Sequence, residues 1–194
     1  MVNNLEKILP FLTFESADDF YYLQILQRKK ENPEIGSNSR VIKNYYITSQ
    51  QYLIERYDEI IKLCEVFNAR ASIRLNKRSF ESVGFKTLEN IANSMRNREY
   101  KFLKASYDRA CGLGHNDKDK KWILDIDEKN INITELEYLL ATLEPRGRKV
   151  LIQLDSKSGY HLITSPFNVE EFKKKYTKID IEIHKDNPTN LYIP

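Results

Sequence analysis

The sequence predicts an α+β fold: a ferredoxin-like antiparallel sheet covered by helices, preceded by an amino-terminal α/β lobe. Two observations support this. Apolar residues recur at helical spacing in some segments and alternate with polar residues in others, and in the second half they follow the order strand, helix, strand, strand, helix, strand. A chain of 194 residues is also long enough for one well-buried core. We therefore expect one compact unit over residues 1–194, with an amino-terminal lobe over about 1–100 and a carboxyl-terminal lobe over about 101–194.

The first half is predicted to fold as helix, strand, helix. Residues 28–40 gather Pro, Gly, Asn and Ser and predict a mobile loop. Apolar residues at three- and four-residue steps then predict a helix over 49–67 capped by Ser49. Residues 69–78 alternate between apolar and basic side chains, which is typical of a strand with a basic face. A second helix is predicted over 85–98, and its apolar stripe consists of Phe85, Leu88, Ile91, Ala92 and Met95.

The second half supplies the six elements of the sheet. A loop over 112–120 precedes an apolar strand, "WILDID". Thr134 followed by Glu137 resembles a capping box at the start of a short helix. Two further strands are predicted in "RKVLIQLD" and "GYHLIT", and Asn168 is expected to cap the next helix. The alternating segment "KIDIEIH" predicts the last strand of this sheet.

The composition excludes several classes of protein. The net charge of +3 is too small to indicate a nucleic-acid-binding protein by itself. The two cysteines cannot form a disulfide framework, and Cys111 with His115 supplies only two of the four ligands of a structural zinc ion. No apolar run reaches the roughly 18 residues of a membrane span. We expect a soluble cytoplasmic protein that does not bind a membrane.

Asp125 and Asp127 stand at alternate positions of a predicted buried strand. Successive strand side chains point to opposite faces, so these two carboxylates share one face while Ile126 enters the core. Paired carboxylates are the ligands that Mg²⁺ or Mn²⁺ prefers, and two such ions can support phosphoryl transfer. The simpler alternative is an exposed strand edge whose acids pair with nearby lysines.

Two further groups of residues are candidates for the same site. Asp180 lies on the polar face of the last predicted strand and would supply a third carboxylate, with Glu182 as the competing candidate. In "KSGYH", the ammonium of Lys157, the hydroxyl of Ser158, the amide of Gly159 and the imidazole of His161 could bind a triphosphate.

The basic face of residues 70–78 is a candidate phosphate-binding surface. Guanidinium groups along one side of a strand can bind phosphates or pair with acids on a solvated surface, and both interpretations stay open. We take Arg74 and Arg78 as the candidates for nucleotide binding and leave Arg70 as part of the same face. Tyr45, Tyr46 and Tyr160 could stack on bases, although tyrosines in a tyrosine-rich chain usually belong to the core.

The ordered segments "WILDID", "KSGYHLIT" and "KIDIEIHKDNPTNLY" resemble the catalytic core of the archaeo-eukaryotic primase superfamily, which includes primase-polymerases. The resemblance covers residues 121–194, and its specificity lies in the order of the motifs. It implies an RRM-like catalytic lobe in which Asp125, Asp127 and Asp180 bind Mg²⁺ or Mn²⁺. It also implies that His161 contacts the nucleotide phosphates, with Lys157 and Ser158 beside them. Many members carry serine where this chain has Gly159.

The resemblance implies a small DNA primase or polymerase that uses nucleoside triphosphates on a DNA template with a primer, in replication or repair. Many members continue into an accessory domain after the third motif, so a helicase or another replication protein is an expected partner. Two alternatives remain at this point. One is an inactive nucleic-acid-binding or replisome-interaction module with the same fold, and the other is a metal-dependent nuclease.

Overall fold

The computed structural model describes residues 1–36, 39–113, 119–128 and 130–194, and it combines helices with two antiparallel sheets. This confirms the α+β class. Within these residues the strands are β1 (Val2–Asn3), β2 (Asp19–Arg28), β3 (Ser39–Ile47), β4 (Arg70–Ile73), β5 (Arg78–Ser79), β6 (Trp122–Ile126), β7 (Val150–Asp155), β8 (Tyr160–Thr164), β9 (Glu182–His184) and β10 (Thr189–Ile193). The α-helices are α1 (Leu5–Ile8), α2 (Gln50–Val66), α3 (Phe80–Arg96), α4 (Ser106–Leu113), α5 (Ile133–Thr142) and α6 (Val169–Lys175), and short 3₁₀ helices span Leu9–Phe11 and Tyr100–Ala105.

The larger sheet has the strand order β1-β10-β4-β2-β3, with β5 paired to β2. Its longest ladder joins β2 to β3, from Tyr21 opposite Ile47 to Arg28 opposite Ser39. The predicted loop over 28–40 is therefore shorter than expected, because both of its ends belong to strands. Residues 37 and 38 of that loop lie outside the described residues.

Helix α2 confirms the prediction for residues 49–67. The Ser49 side chain accepts a hydrogen bond from the Tyr52 amide at 3.0 Å, which satisfies one of the free amides at the helix start. The helix packs its apolar stripe into the core of the larger sheet. The buried residues of that stripe are Leu53, Tyr57, Ile60 and Cys64.

Helix α3 begins earlier than predicted. It starts at Phe80, after Ser79 caps the amide of Ser82 at 3.0 Å. The apolar residues predicted to share one side of the helix are largely exposed: Phe85 68%, Leu88 63%, Met95 52% and Ile91 36%. Val83 is the apolar residue of this helix that is fully buried, in a small cluster that includes Phe20, Tyr22 and residues of α4. The helix is therefore confirmed, and its apolar stripe lies mainly at the surface.

The smaller sheet has the strand order β7-β8-β6-β9, and its elements follow the predicted order strand, helix, strand, strand, helix, strand. The expected neighbours β6 and β9 do pair. Helix α6 begins after the predicted cap, Asn168, which accepts from the Glu171 amide at 3.0 Å. Helix α5 begins one residue after Asn132, whose side chain accepts from the Glu135 amide at 3.2 Å. The cap is therefore Asn132 rather than Thr134.

The two sheets share a core. Ile123, Leu154 and Ile163 of the smaller sheet belong to the same apolar cluster as Leu191 of β10 in the larger sheet. The other face of the smaller sheet packs on α5 and α6 around Leu124, Ile126, Leu136, Leu140, Leu162 and Phe172. Strand β10 follows the smaller sheet in sequence but pairs with β1 and β4. The larger sheet therefore includes chain from both predicted lobes.

The composition also led to predictions about membrane spans and about the two cysteines. Within the described ranges, no helix is long and apolar enough to cross a membrane. Cys64 and Cys111 are both buried free thiols, and burial raises the pKa of each to about 12. His115, which was considered beside Cys111, lies outside the described residues.

Candidate functional site

A cleft of about 810 Å³ opens between the two sheets, within the size range of small-molecule sites. Its floor comes from one face of the smaller sheet, and its opposite wall comes from β2, β4 and the approach to β10. The polar and charged residues that line it are Arg28, Lys30, Glu31, Ser39, Arg70, Ser72, Asp125, Asp127, Ser156, Lys157, Ser158, His161, Glu182, His184, Asn187 and Asn190. Six of the predicted functional residues or their alternatives are thus brought to one place: Asp125, Asp127, Lys157, Ser158, His161 and Glu182.

Asp125 lies at the centre of the floor because β6 is a central strand of its sheet. Leu124 and Ile126 point to the helices, so Ile123 and Asp125 share the face that lines the cleft. The strand register sets Asp125 directly opposite His161 on β8 and opposite Glu182 on β9. The predicted strand alternation therefore gives the correct face for Asp125.

His161 is held between the two sheets. Its Nε2 lies 3.3 Å from Asp125 Oδ1, and its Nδ1 lies 2.8 Å from the hydroxyl oxygen of Thr189 on β10. Thr189 is fully buried. The hydrogen bond from His161 is the largest influence on Asp125 and holds the pKa of that carboxyl below its usual value, aided by the nearby charges of His184 and Arg28. Asp125 is therefore ionised at neutral pH.

Asp127 lies just beyond the end of β6 and is exposed at the rim of the cleft. Its Oδ1 accepts a hydrogen bond from the Ser158 hydroxyl at 2.6 Å. This contact joins the end of β6 to the turn between β7 and β8. The turn thus brings Ser158 to Asp127, while Lys157 points to the opposite wall.

The third acid differs from the one the resemblance implies. Glu182 is opposite Asp125 and lines the cleft, whereas Asp180 precedes β9 and is absent from the cleft lining. If the register continued for one more pleat, it would set Asp180 opposite Asp127, but the ladder ends at Glu182. The side chain of Glu182 is 73% exposed, and its Oε2 lies 3.3 Å from His184 Nε2. Of the two alternatives, Glu182 is the one at the cleft.

The donor set fits a hard divalent cation that a substrate helps to bind. Among the described residues, no group of three or more His, Cys, Asp or Glu side chains is close enough to hold a metal ion by itself. Mg²⁺, however, is commonly held by one or two carboxylates together with water and substrate phosphates. Asp125 and Asp127 supply two such carboxylates, one on the floor of the cleft and one at its rim.

The wall opposite the acids is basic. It carries Arg28, Lys30 and Arg70 from the larger sheet, and Lys157 reaches it from the other side. Within the part of the chain that the structure describes, the side chains of Arg28 and Lys30 form no ion pair, whereas Arg70 and Lys157 both pair with Glu31. The cleft therefore has an acidic floor that faces a cationic wall.

Arg74 and Arg78, the predicted nucleotide-binding arginines, do not line this cleft. Arg78 is fully buried, and its guanidinium lies 2.6 Å from Asp186 Oδ2 while Nε donates to the Cys111 carbonyl at 3.0 Å. Arg74 lies 3.5 Å from the same carboxylate and also donates to the Asp186 carbonyl. The predicted strand ends at Ile73, so the later arginines leave its basic face and bind the chain inside the protein. The structure corrects the choice: Arg70 is the one at the cleft.

Position 159 requires glycine for a steric reason that the sequence could not reveal. A Cβ at this position would lie 1.9 Å from the carbonyl oxygen of Ile126, so β8 can start this close to β6 only with glycine there. Its amide donates to the Ser156 hydroxyl at 3.0 Å. The amide is therefore engaged within the turn and does not supply the free donor that was expected for a phosphate.

The tyrosines considered for base stacking are mostly part of the protein interior. Tyr45 is 3% exposed and belongs to the main core. Tyr46 packs against Phe20 and Tyr22, and its hydroxyl donates to Asp108 at 2.9 Å. Tyr160 pairs with Ile126 across the sheet and does not line the cleft.

Sequence reasoning missed several residues of the site, among them Arg28, Lys30, Glu31 and Thr189. The first three lie in the charged run "RKKE", which was taken only as part of a loop. That run directly follows a strand, which is a signal that could have drawn attention to it. Nothing in the local sequence marks Thr189, because its contact with His161 depends on how the two sheets pack.

No protein-family model matches this chain, and no solved structure matches it. Among curated proteins, Protein PDC2 of Candida albicans is 31% identical to it over 96 residues, which make up 50% of this chain. The same residues are 10% of that protein, so the chain spans about a tenth of the length of the relative it matches. A match of this extent relates half of the chain to a segment of a much longer protein and does not assign it to a family.

Proposed function

We propose that this protein is a metal-dependent nucleotidyl transferase of the primase-polymerase type, which adds nucleotides from nucleoside triphosphates to a DNA primer on a template. One observation carries the proposal: an acidic floor centred on Asp125, with His161 beside it, faces a cationic wall across one cleft. A nucleoside triphosphate with its divalent cation needs both kinds of surface.

The topology supports the same proposal. The strand order β7-β8-β6-β9 with two helices on one face is that of a ferredoxin-like plait, the arrangement that the primase-polymerase resemblance implies. Asp125 and His161, which come from two of the three motifs, are direct neighbours across β6 and β8. Fold alone does not imply an activity, so the proposal depends on the side chains of the cleft.

In the proposed reaction, the primer 3′ hydroxyl loses its proton to water and attacks the α-phosphorus of the incoming nucleotide. The new P–O bond forms as the bond from the α-phosphorus to the bridging oxygen breaks and pyrophosphate leaves. Asp125 and Asp127 would hold Mg²⁺ or Mn²⁺, which would lower the pKa of the attacking hydroxyl and neutralise developing charge. His161 would donate to a phosphate oxygen, and its orientation is already fixed by Thr189. Lys157 and Arg70 would neutralise the phosphates that leave.

A second candidate is a nucleic-acid-binding module without turnover. It is favoured by the basic side chains that line the cleft, which a phosphate backbone could contact without a metal ion. The basic side chains Arg28, Lys30 and Lys157 would then bind a phosphate backbone.

The decisive experiment incubates the protein with Mn²⁺, labelled nucleotides and either a primed or an unprimed template. We expect product lengthening by the wild type and a loss of about 100-fold or more for the Asp125→Asn and Asp127→Asn variants, because each removes a charge from the metal-binding pair. Asp58→Asn, an exposed change on α2, is the matched control and should leave the rate unchanged.

The other outcomes separate the alternatives. Shortening of the template in the absence of nucleotides would indicate a nuclease. DNA binding that survives Asp125→Asn, with no product of either kind, would indicate the binding module and would overturn the proposal of nucleotidyl transfer.

A further inference from the structure

The carboxylate of Glu31 lies in the cleft and is bound there by two cationic side chains, Arg70 and Lys157. Arg70 Nε donates to Glu31 Oε2 at 2.8 Å, and a second guanidinium nitrogen donates to Oε1. Lys157 Nζ donates to the same Oε1 at 2.7 Å. The Glu31 and Arg70 side chains are only 12% and 11% exposed, so this is an ordered, partly desolvated contact.

The geometry around Glu31 is that of a phosphate site. A guanidinium fork binds two oxygens of a carboxylate in the same way as two oxygens of a phosphate, and an ammonium beside it adds a point charge. The two cations come from different sheets, Arg70 from β4 and Lys157 from the turn between β7 and β8. Arg28 and Lys30 line the same cleft. Two cations, Arg70 and Lys157, therefore face the single carboxylate of Glu31.

The backbone of Glu31 is fixed independently of its side chain. The amides of Glu31 and Asn32 both donate to the Arg28 carbonyl at 2.9 Å, and the Asn68 side chain donates to the Glu31 carbonyl at 3.1 Å. Asn32 is anchored in turn to the Asn68 carbonyl at 3.0 Å. A rotation of the Glu31 side chain would therefore free Arg70 and Lys157 without a movement of the loop.

We propose that Glu31 is an internal substitute for a phosphate group, and that a polyphosphate ligand binds at Arg70 and Lys157 by displacing its carboxylate. The proposed ligand is the triphosphate of a nucleotide, and in this respect the inference rests on the proposed function. The acid lowers the affinity of the cleft for phosphates, because each binding event must break its contacts with both cations. It also keeps Arg70 and Lys157 paired when no ligand is bound.

The test measures binding of inorganic tripolyphosphate by calorimetry, with EDTA present and without DNA, so that neither metal binding nor turnover is needed. We expect Glu31→Gln to bind tripolyphosphate about tenfold more tightly than the wild type, since charge-assisted contacts no longer have to be broken. Glu34→Gln removes the same charge from an exposed position of the same loop that does not line the cleft, so it is the matched control. Its affinity should stay within about twofold of the wild type, because distant surface charges are screened.

Two further variants extend the test, and the first of them keeps it decisive if Glu31→Gln folds poorly. Glu31→Asp keeps the charge but is too short to reach both cations in their present positions, so it should also tighten binding, by a smaller factor. Arg70→Gln in the Glu31→Gln background should reverse the gain.

Equal affinities for Glu31→Gln, Glu34→Gln and the wild type would overturn the proposal, as would a failure of Glu31→Gln to bind tripolyphosphate at all. Neither result depends on polymerase activity. If the Glu31 effect is found and no nucleotide is ever incorporated, the phosphate site stands and the proposed function fails.

Discussion

His161 is fixed by both of its ring nitrogens, one toward Asp125 and the other against Thr189. Because Thr189 is buried on β10 of the other sheet, this contact sets the orientation of the imidazole from outside its own sheet. If the threonine hydroxyl donates to Nδ1, then Nε2 carries the proton and faces the cleft. Thr189 is thus a positioning residue for the proposed phosphate contact of His161.

Thr189→Val removes this hydroxyl with little change of side-chain shape. We expect the variant to stay folded, with a loss of about 1–3 kcal/mol in the free energy of unfolding, because Nδ1 of a largely buried imidazole loses its partner. Nucleotide incorporation should fall mainly in kcat, since the imidazole is misoriented rather than lost. Thr189→Ser should restore most of the rate.

The ¹⁵N chemical shifts of the His161 ring distinguish positioning from a general structural effect. We expect them to change in Thr189→Val and to return in Thr189→Ser. Unchanged shifts in Thr189→Val would show that the hydroxyl does not determine the state of the ring.

Single residues of the site were predictable where a local pattern fixes the face of a strand. Asp125 could be named because alternation separates it from the buried Ile126, and His161 because it follows Lys157 and Gly159 in a turn between two predicted strands. Arg74 and Arg78, the predicted nucleotide-binding arginines, lie outside the cleft, because the strand ends at Ile73 and both arginines turn to Asp186, more than 100 residues away in sequence. The partner of a charged side chain is a long-range property that composition does not reveal.

Strand β9 decides which acid completes the floor of the cleft. It spans only Glu182–His184, although the alternating pattern predicted a strand from about residue 178. Glu182 consequently has a fixed position opposite Asp125, while Asp180 lies before the strand and is exposed.

The variants Glu182→Gln and Asp180→Asn compare the two acids, because each replaces a carboxylate by the amide of the same size. We expect Glu182→Gln to lower kcat/KM for nucleotide incorporation by about tenfold or more, because it removes a charge next to Asp125. Asp180→Asn should stay within about threefold of the wild type. A larger loss for Asp180→Asn, measured at saturating Mn²⁺ and again at limiting Mn²⁺, would restore the assignment implied by the resemblance.

Helix α3 shows what a periodic pattern can and cannot determine for an element. The three- and four-residue steps correctly indicate a helix, but they do not say whether the apolar stripe meets the core. Here Val83 makes the buried contact, and Leu88 and Phe85 are more than 60% exposed. The orientation of the helix follows from its packing against α4 and the Phe20–Tyr22 cluster, which are elements that the sequence reading did not place.

The whole molecule is joined across the cleft by contacts distant in sequence. The apolar cluster of the larger sheet includes Ile123 and Ile163 of the smaller one. Asn4, which is fully buried, donates to the carbonyls of Asp155 and Asn190 at 2.9 Å each and so links β7 to β10. The two sheets should therefore lose their structure together.

Unfolding can test this because Trp122, the one tryptophan of the sequence, lies in the smaller sheet. We expect urea transitions followed by tryptophan fluorescence and by far-ultraviolet circular dichroism to coincide, as for a two-state protein. Leu154→Ala, a change in the shared core, should lower both midpoints together, with a loss of about 2–5 kcal/mol. Separate transitions, or a shift in only one probe, would show that the sheets unfold independently.

The sequence by itself determined the order and type of most elements of the smaller sheet and the separation of Asp125 from the buried Ile126 on opposite faces of its strand. It could do so because periodicity is a local property, set by how a strand or helix exposes its successive side chains. Only the tertiary structure decided that Arg70 rather than Arg74 or Arg78 reaches the cleft. Strand pairing likewise placed Glu182 opposite Asp125, and the packing of the two sheets brought Thr189 to His161 and Glu31 to Lys157. These contacts depend on register and sheet packing between distant segments, which no local pattern specifies.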